Sequence, residues 1–527
     1  MSSFIYADPV LSCQQAGEFE RSILKDEAAE WSAMVSAGKR IAEWVIRDYL
    51  EFKIVPERLR ILALIGKGNN AGDALIACAQ ILADYPRARV ELILTSPPDD
   101  LRPLAARALQ ELEGRVHAHQ VWGEEPTSDF LSLLHEIGGD AGFHLCIDGL
   151  LGMSFKPPLK EPLSSLIEAV NAYELIDIRA SVDLPSGKGD ASDGPAFDAD
   201  FTYATGIAKR PVFGGVADCG RVRFIDLGFF TEEAVGKLTQ KESILSPRVL
   251  EPMRRLRPAV ADKRAFGHLF IVGGSAYMPG ALLMSVQAAV RSGVGLVTAF
   301  APASVAAALS AQVPEAMWIP WPETNNGTLN PKAIPLLLDR IGKATAVLVG
   351  PGMGQDRNTE LVAQEIVKLV ELPVVLDADA LRLRVMEVAQ KRKPHFGTVV
   401  ATPHMGEFIR IAKLSDSDFS IQTQLDVSKF YRIMTVLKGP NTRICDGDSV
   451  IYSTHGGPVL SRGGSGDILA GLLGGIVAQD NDHVRVSVCQ GVMLHGLAAE
   501  RLARARGQVA VRTTQILEYI SEVLREA

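Results

Sequence analysis

The stretch 453–479 reads STHGGPVLSRGGSGDILAGLLGGIVAQ, and its interpretation decides the fold of the half of the chain that holds it. Residues 449–454 read as the end of a strand. A glycine-rich loop follows, and from Asp467 the apolar residues Ile468, Leu469, Leu472, Leu473, Ile476 and Val477 recur at helical spacing. A strand that passes through glycines into a buried helix presents unpaired backbone amides and the positive end of a helix dipole, which suits a phosphate oxyanion. Gly463, Gly464 and Gly466 let the backbone approach such an anion closely. A carboxylate at this place repels phosphate unless it does chemical work on a neighbouring hydroxyl, so Asp467 is a candidate base. The position also permits a plain helix cap, and local physics alone leaves both readings open.

The chain around this stretch has 527 residues, well beyond one ordinary domain, so two or more cores are expected. Hydrophobic content of 47% and charged content of 22% are those of a soluble globular protein. A net charge of -8 speaks against nucleic acid as a main partner and leaves room for local basic pockets around phosphates. Cys13, Cys78, Cys146, Cys219, Cys445 and Cys489 are scattered without a CxxC pair and read as reduced thiols. No charged start leads into an apolar run at Met1, and no unbroken apolar run reaches the ~18 residues of a membrane span. The expectation is a cytoplasmic protein with small-molecule partners, no nucleic acid and no membrane, self-associating as a homo-oligomer.

Outward from the glycine loop, one arrangement recurs from Lys263 onward: a strand whose carboxyl end delivers a loop. Residues 268–272 form a strand, GGSAYMPGA (273–281) a loop and 282–293 a helix. Residues 346–349 run into GPGMG (350–354). Residues 374–376 end on Asp377 and Asp379, a spacing that could hold magnesium, although capping and solvation of the sheet edge is the preferred reading of Asp379. Residues 399–401 end at TPHMGE (402–407), which sets His404 at a strand terminus, and 435–437 lead to KGPNT (438–442), where Lys438 and the turn amides could hold phosphates. These loops point to one face, as a nucleotide and a second substrate require.

The first half follows a related plan. A helix is expected around 33–45, a buried strand at 60–65 (RILALI), then GKGNNAGD (66–73) and a helix resuming at Ala74. Strands at 90–95 and 116–121 alternate with helices at 101–112 and 130–137, which argues for a parallel sheet with right-handed crossovers. Residues 144–148 and 181–183 bring Asp148, Asp183 and Ser186 to the same edge as the glycine loop, where ligands of open parallel sheets bind. Asn69, Asn70 and Asp73 offer oxygen ligands to a cation or hydrogen bonds to a ribose, although, taken alone, asparagines that only supply turn conformations are the preferred reading. Residues 229–262, with Pro247, Pro252, Pro258 and a cluster of arginines, read as a connection between domains at 1–228 and 263–527.

The segment GGSGD followed by an apolar helix resembles the anion hole and catalytic Asp of the ribokinase-like superfamily. Together with 268–297, VGPGMG (349–354), LDADAL (376–381), TPHMGE and LKGPNT (437–442), it resembles the ADP-dependent NAD(P)H-hydrate dehydratases. GKGNNAGD, IDGLLG (147–152) and DLPSG (183–187) resemble the NAD(P)H-hydrate epimerases that are fused to that dehydratase in many bacteria. The resemblance implies an α/β fold in two domains, a Rossmann-like doubly wound parallel sheet followed by a ribokinase-like α/β sandwich.

It also implies roles. Asn70, Asp148 and Ser186 would bind potassium. Asn69, Asn70, Ala71, Gly72 and Asp73, the loop Gly152, Met153, Ser154, Phe155, Lys156, Pro157 and Pro158, and Asp183 would hold the hydrated nicotinamide nucleotide, with Asp183 the proton-transfer residue. In the second domain Ala281, Gly354, His404 and Asp467 would touch the same substrate. Lys438, Gly439, Pro440, Asn441, Thr442 and Gly466 would hold the adenine nucleotide, with ADP and Mg2+ as cosubstrates and Asp467 catalytic. Two departures stand out: Ala71 and Ala74 replace glycines of the usual GNNGGDG, and GMSFKPP replaces a GTGL-type loop. If the replaced glycines need positive φ, strain of about 1–2 kcal/mol is expected at the alanines. The alternatives are a small-molecule kinase joined to a noncatalytic module and, last, a structural protein.

Overall fold

Runs of apolar β-formers broken by glycine-rich turns, each followed by an amphipathic helix, give parallel sheets covered on both faces, and both halves of the chain are built this way. The computed structural model describes residues 6–122, 129–192, 194–213, 218–231, 240–415 and 419–526. The chain divides into two compact units, Asp8–Gln240 and Lys241–Ala527, the latter with Met1–Ala7.

The first unit contains all but the first residue of β1 (Ala7–Leu11), then β2 (Arg60–Ile65), β3 (Arg89–Leu94), β4 (His117–Gln120), β5 (Phe143–Gly149), β6 (Ile176–Val182), β7 (Phe201–Thr205), β8 (Ala208–Lys209) and β9 (Arg221–Ile225). Its main sheet has the order β4-β3-β2-β5-β6-β7-β9, parallel throughout. The chain runs outward from β2 to β4 and returns beside β2 as β5, so a crevice opens between the carboxyl ends of β2 and β5, the usual ligand position in a doubly wound sheet. Strand β2 is buried on both faces. Ile61, Ala63 and Ile65 pack into one apolar cluster, and Leu62 and Leu64 into another across the sheet.

The second unit contains β10 (Glu242–Leu245), β11 (His268–Val272), β12 (Leu296–Pro302), β13 (Met317–Trp321), β14 (Ala346–Val349), β15 (Val374–Leu376), β16 (Val399–Ala401), β17 (Met434–Leu437), β18 (Thr442–Cys445) and β19 (Val450–Ser453). Its order is β13-β12-β11-β14-β15-β16-β17-β18-β19-β10. The strands are parallel from β13 to β17; β18 is antiparallel to both of its neighbours, and β10 runs parallel to β19. The switch point lies between β11 and β14, where the loops GGSAYMPGA and GPGMG emerge. The helix Ser465–Gln479 packs on Pro279–Arg291 so closely that a Cβ on Gly471 would lie 2.1 Å from the Ser285 carbonyl oxygen.

The segment 229–262, expected as a connection, is structured in part. Glu242–Leu245 pairs with β19, and Pro247–Arg254 forms 3-10 turns whose Val249 and Leu250 are buried. Four residues of β-forming sequence beside prolines are too short to stand out by pattern, and pairing with β19 makes them a strand. Residues 232–239 of that segment lie outside the described residues. All six cysteines are free and buried.

Candidate active sites

In the first unit the helix Asn69–Asp84 starts immediately after the glycine turn that leaves β2. Gly68 caps it with extended backbone, φ -89 and ψ -170, and no side chain assists. Asn69, Asn70, Ala71, Gly72 and Asp73 are therefore helical, whereas a loop was expected up to Ala74. The feared strain is absent: Ala71 and Ala74 are buried helical residues, and neither is among the residues with positive φ. Packing explains their tolerance, since Ala71 and Gly72 face the interior, Gly72 beside Met34.

Asn69, Asn70, Asp73, Met153, Ser154 and Asp183 line one cavity of about 400 Å³. Gly152 lies against the Asn70 amide, where a Cβ would be 2.7 Å from Oδ1. Phe155, Lys156, Pro157 and Pro158, expected with them, do not line this cavity; the last three are exposed. The Asn70 amide nitrogen donates to the carbonyls of Val182 and Leu151 at 2.8 and 3.0 Å, which fastens the helix start to the carboxyl edge of the sheet.

Asp148 is fully buried and accepts from the Ser186 hydroxyl at 2.6 Å, the Ser186 amide at 2.8 Å, and Ser181 and Leu150 at 3.2 Å. Burial pushes its carboxyl up to about 6 against the pull of those hydrogen bonds. Among the described residues no basic side chain pairs with it. This buried charge without a counterion is hydrogen-bonded to the Ser186 hydroxyl, and the oxygen-only set expected of it with Asn70 has the donor chemistry of a hard monovalent cation.

Asp183 has φ 66, the left-handed region that a side chain disfavours. Its carboxylate accepts from Lys209 Nζ at 2.5 Å and from the Thr205 amide and hydroxyl at 3.3 Å. Burial first, then the charges of Asp183 and Glu20, push the Asp73 carboxyl well above the carboxylate range, while Lys209 pulls it down. Sequence reading missed Lys209 and Glu20. The one signal for Lys209 is that, with Arg210, it interrupts an otherwise uncharged run, TYATGIAKRPVF (202–213).

In the second unit Gly464, with φ 92, caps the helix Ser465–Gln479 and no side chain assists. Asp467 stands in the first turn beyond the cap, so the plain-cap reading is set aside. Ser285 Oγ donates to the Asp467 carbonyl at 2.9 Å and ties this turn to the neighbouring helix. Burial, then the negative charge of Asp377, push the Asp467 carboxyl up to about 7, with Lys438 pulling the other way. Lys438 Nζ donates to Asp377 Oδ1 at 3.0 Å, and Thr402 Oγ1 donates to the same oxygen at 2.6 Å. Burial opposes the lysine charge, but Asp377, Glu407 and Asp467 outweigh it and hold the ammonium above its ordinary value.

Gly466 joins this group, since a Cβ there would lie 3.3 Å from Lys438 Nζ. Residues 438–442 make the turn between β17 and β18, closed by Thr442 Oγ1 donating to the Gly439 carbonyl at 3.2 Å; Gly439 and Pro440 are exposed and Asn441 is half-buried. The Gly354 amide donates to Asp379 Oδ2 at 2.8 Å, and Tyr277 occupies the space a Cβ on Gly354 would need. Ala281 sits in the first turn of Pro279–Arg291 beside Gly352. His404 caps Met405–Ala412 in a reciprocal box with Glu407, yet its side chain is 60% exposed, so one residue both starts a helix and presents an imidazole. With Asp377 engaged by Lys438 and Asp379 by Gly354, this pair is a brace between loops rather than an open metal cradle. Among the described residues no group of three or more His, Cys, Asp or Glu is placed to hold a metal. Ser285 and Thr402 lie within quoted segments, 268–297 and TPHMGE, but neither was assigned a role from the sequence.

Residues 32–211 match the family described as YjeF-related protein N-terminus, and residues 269–522 match the NAD(P)H-hydrate dehydratase family. The bifunctional NAD(P)H-hydrate repair enzyme of Gloeobacter violaceus is 32% identical over 95% of each chain, and that of Moorella thermoacetica 29% identical over 93% of this chain and 92% of its own. Among solved structures, the ADP/ATP-dependent NAD(P)H-hydrate dehydratase of Bacillus subtilis, co-crystallised with ATP and Mg2+, shares 24% identity over 52% of this chain and 95% of that one, with a TM-score of 0.43. Both family matches occur in the order in which the two parallel sheets follow one another, and the likeness runs nearly end to end: the chain belongs to the bifunctional NAD(P)H-hydrate repair enzymes.

Proposed function

We propose that each unit carries one half of a repair reaction on hydrated NADH and NADPH. In the second unit ADP, with Mg2+ as part of that substrate, donates its terminal phosphoryl group to the hydroxyl on C6 of the hydrated nicotinamide ring. Asp467 accepts the hydroxyl proton, and the amides at the start of Ser465–Gln479 stabilise the phosphoryl in transit. AMP leaves; phosphate then departs from C6 as the ring nitrogen's electrons push, a proton is lost from C5, and NAD(P)H is restored. Phosphorylation matters because phosphate leaves readily and hydroxide does not. Ala281, Gly354 and His404 bind the hydrate here, and Lys438 to Thr442 with Gly466 bind the nucleotide.

In the first unit Asp183 moves a proton while the two C6 epimers interconvert, so that the epimer the second unit rejects becomes usable. Potassium fits at Asn70, Asp148 and Ser186, where it would balance the buried Asp148 charge and hold the two strand ends together. Self-association and a cytosolic location, the latter in keeping with six free buried thiols, belong to the same reading.

The observation that carries the dehydratase half is the Asp467 carboxyl, pushed up to about 7 at the mouth of a helix that no side chain caps. That is the range in which a base both sheds and accepts protons at neutral pH. The test is to incubate the protein with ADP, magnesium and mixed hydrate epimers and to follow the NADH absorbance band. Regeneration of NADH with release of AMP and phosphate is expected. Accumulation of a phosphorylated product with no NADH would identify a kinase instead.

A further inference from the structure

The cavity of the first unit holds more titratable groups than one proton acceptor needs. Lys209 arrives on the two-residue strand β8, its side chain 1% exposed, and donates to Asp183 Oδ1 at 2.5 Å and to the Thr205 carbonyl at 3.2 Å. Glu20 and Cys13 face it from the helix Cys13–Ile23, and Asp73 from Asn69–Asp84; Arg21, Glu30 and Arg102 complete the charged lining. One ammonium thus serves carboxyl groups of Glu20, Asp73 and Asp183, and the contact geometry gives it to Asp183. Among the described residues Asp73 makes no ion pair and no side chain donates to it.

Burial on this scale forbids three unbalanced anions in one pocket. The carboxyl group that is left without the lysine keeps its proton, and burial together with the charges of Asp183 and Glu20 raise Asp73 accordingly. The left-handed backbone at Asp183 is unfavourable for a residue with a side chain and persists only where contacts over-determine it; the Lys209 and Thr205 bonds to its carboxylate are such contacts.

We propose that Lys209 is a positioning residue of the epimerase site, balancing the Asp183 charge and aiming its carboxylate, so that Asp183 is the proton acceptor and Asp73 the proton donor. This rests on the epimerase reading of the first unit. Asp183 takes the proton from the C6 hydroxyl as the C6–N1 bond breaks. The bonding pair goes to N1, which receives the Asp73 proton, and C6 becomes an aldehyde carbon. Rotation about C5–C6 exposes the other carbonyl face. N1 then attacks it, returning its proton to Asp73 while the oxygen regains the proton held by Asp183. Nothing is oxidised or reduced, and both carboxyl groups end as they began.

The test uses the full-length protein without ADP, so that the dehydratase is idle, and follows interconversion of one purified NADHX epimer by chromatography across pH 5 to 9. Lys209→Met is expected to lower kcat by roughly 100-fold or more, with little change in KM, and to move the acid limb of the profile upward by about one pH unit or more. Lys209→Arg keeps the charge and is expected to hold the limb in place. Asp73→Asn is expected to lose kcat by a similar factor and to lose the alkaline limb. Wild-type kcat and profile in Lys209→Met, or wild-type turnover in Asp73→Asn, overturns the proposal. If Lys209→Met does not fold, Lys209→Arg decides, and a displaced acid limb in that variant is the overturning result. A wild-type protein that interconverts no epimers defeats the epimerase reading itself, which keeps the two failures apart.

Discussion

Asp467 shows how position sets chemistry at the scale of one residue. A carboxylate beside open helix amides ought to be strongly acidic, yet burial and the Asp377 charge lift it to about 7. Dehydration should therefore decline as pH falls below about 7, where the base is protonated, and a pH–rate profile with saturating ADP checks this. Asp467→Asn should abolish dehydration while ADP binding, measured by calorimetry, stays near wild type. The sign for stability is opposite. A carboxyl whose folded pKa lies above its unfolded value costs stability once it ionises, so the Asn variant should be more stable at pH 8 by up to about 4 kcal/mol. That gain should shrink as pH falls toward 4, measured by urea unfolding. Wild-type dehydration in the variant would remove Asp467 from the mechanism.

At the scale of elements, the second site depends on two helices that touch through small residues. Gly471 of Ser465–Gln479 meets the Ser285 backbone and Gly475 the Ser292 hydroxyl, so closely that a Cβ at either place would lie 2.1 Å from the facing oxygen. Ser285 also fixes the turn that carries Asp467. Gly471→Val should destabilise the unit by roughly 2–3 kcal/mol, since the clash is with backbone rather than a flexible side-chain end. In whatever fraction folds, kcat should drop with ADP affinity less affected, because Asp467 is displaced while the 438–442 turn is not. A variant with wild-type melting temperature and turnover would show that this helix pair does not set the Asp467 position. Gly464 is constrained differently: φ 92 together with Met284 2.5 Å from a Cβ leaves glycine as the residue that fits.

At the scale of the molecule, two chemistries on two sheets predict separable defects. Asp183→Asn should leave consumption of pure S-NADHX with ADP at wild-type rate and slow consumption of pure R-NADHX to the spontaneous epimerisation rate, followed by NADH absorbance. Equal slowing of both epimers would mean that Asp183 serves the fold and not the epimerisation. The sequence by itself determined the parallel α/β plan of both halves, because apolar runs such as RILALI and HLFIV ending in glycine turns have few other ways to bury both faces. It also determined Asp467, Asp148 and Asp183 as strand-end or helix-start groups. It could not yield β10 or β18, which are four residues each and become strands through pairing with β19. Nor could it foresee that Asn69 to Asp73 are helical, since glycine and asparagine favour a turn until tertiary packing fills the space around Ala71 and Gly72. Only the tertiary structure decided which carboxyl groups share Lys209 and which share Lys438. Partners brought within hydrogen-bonding distance across 26 and 61 residues of chain leave no local pattern, and their protonation depends on burial, which a sequence does not state.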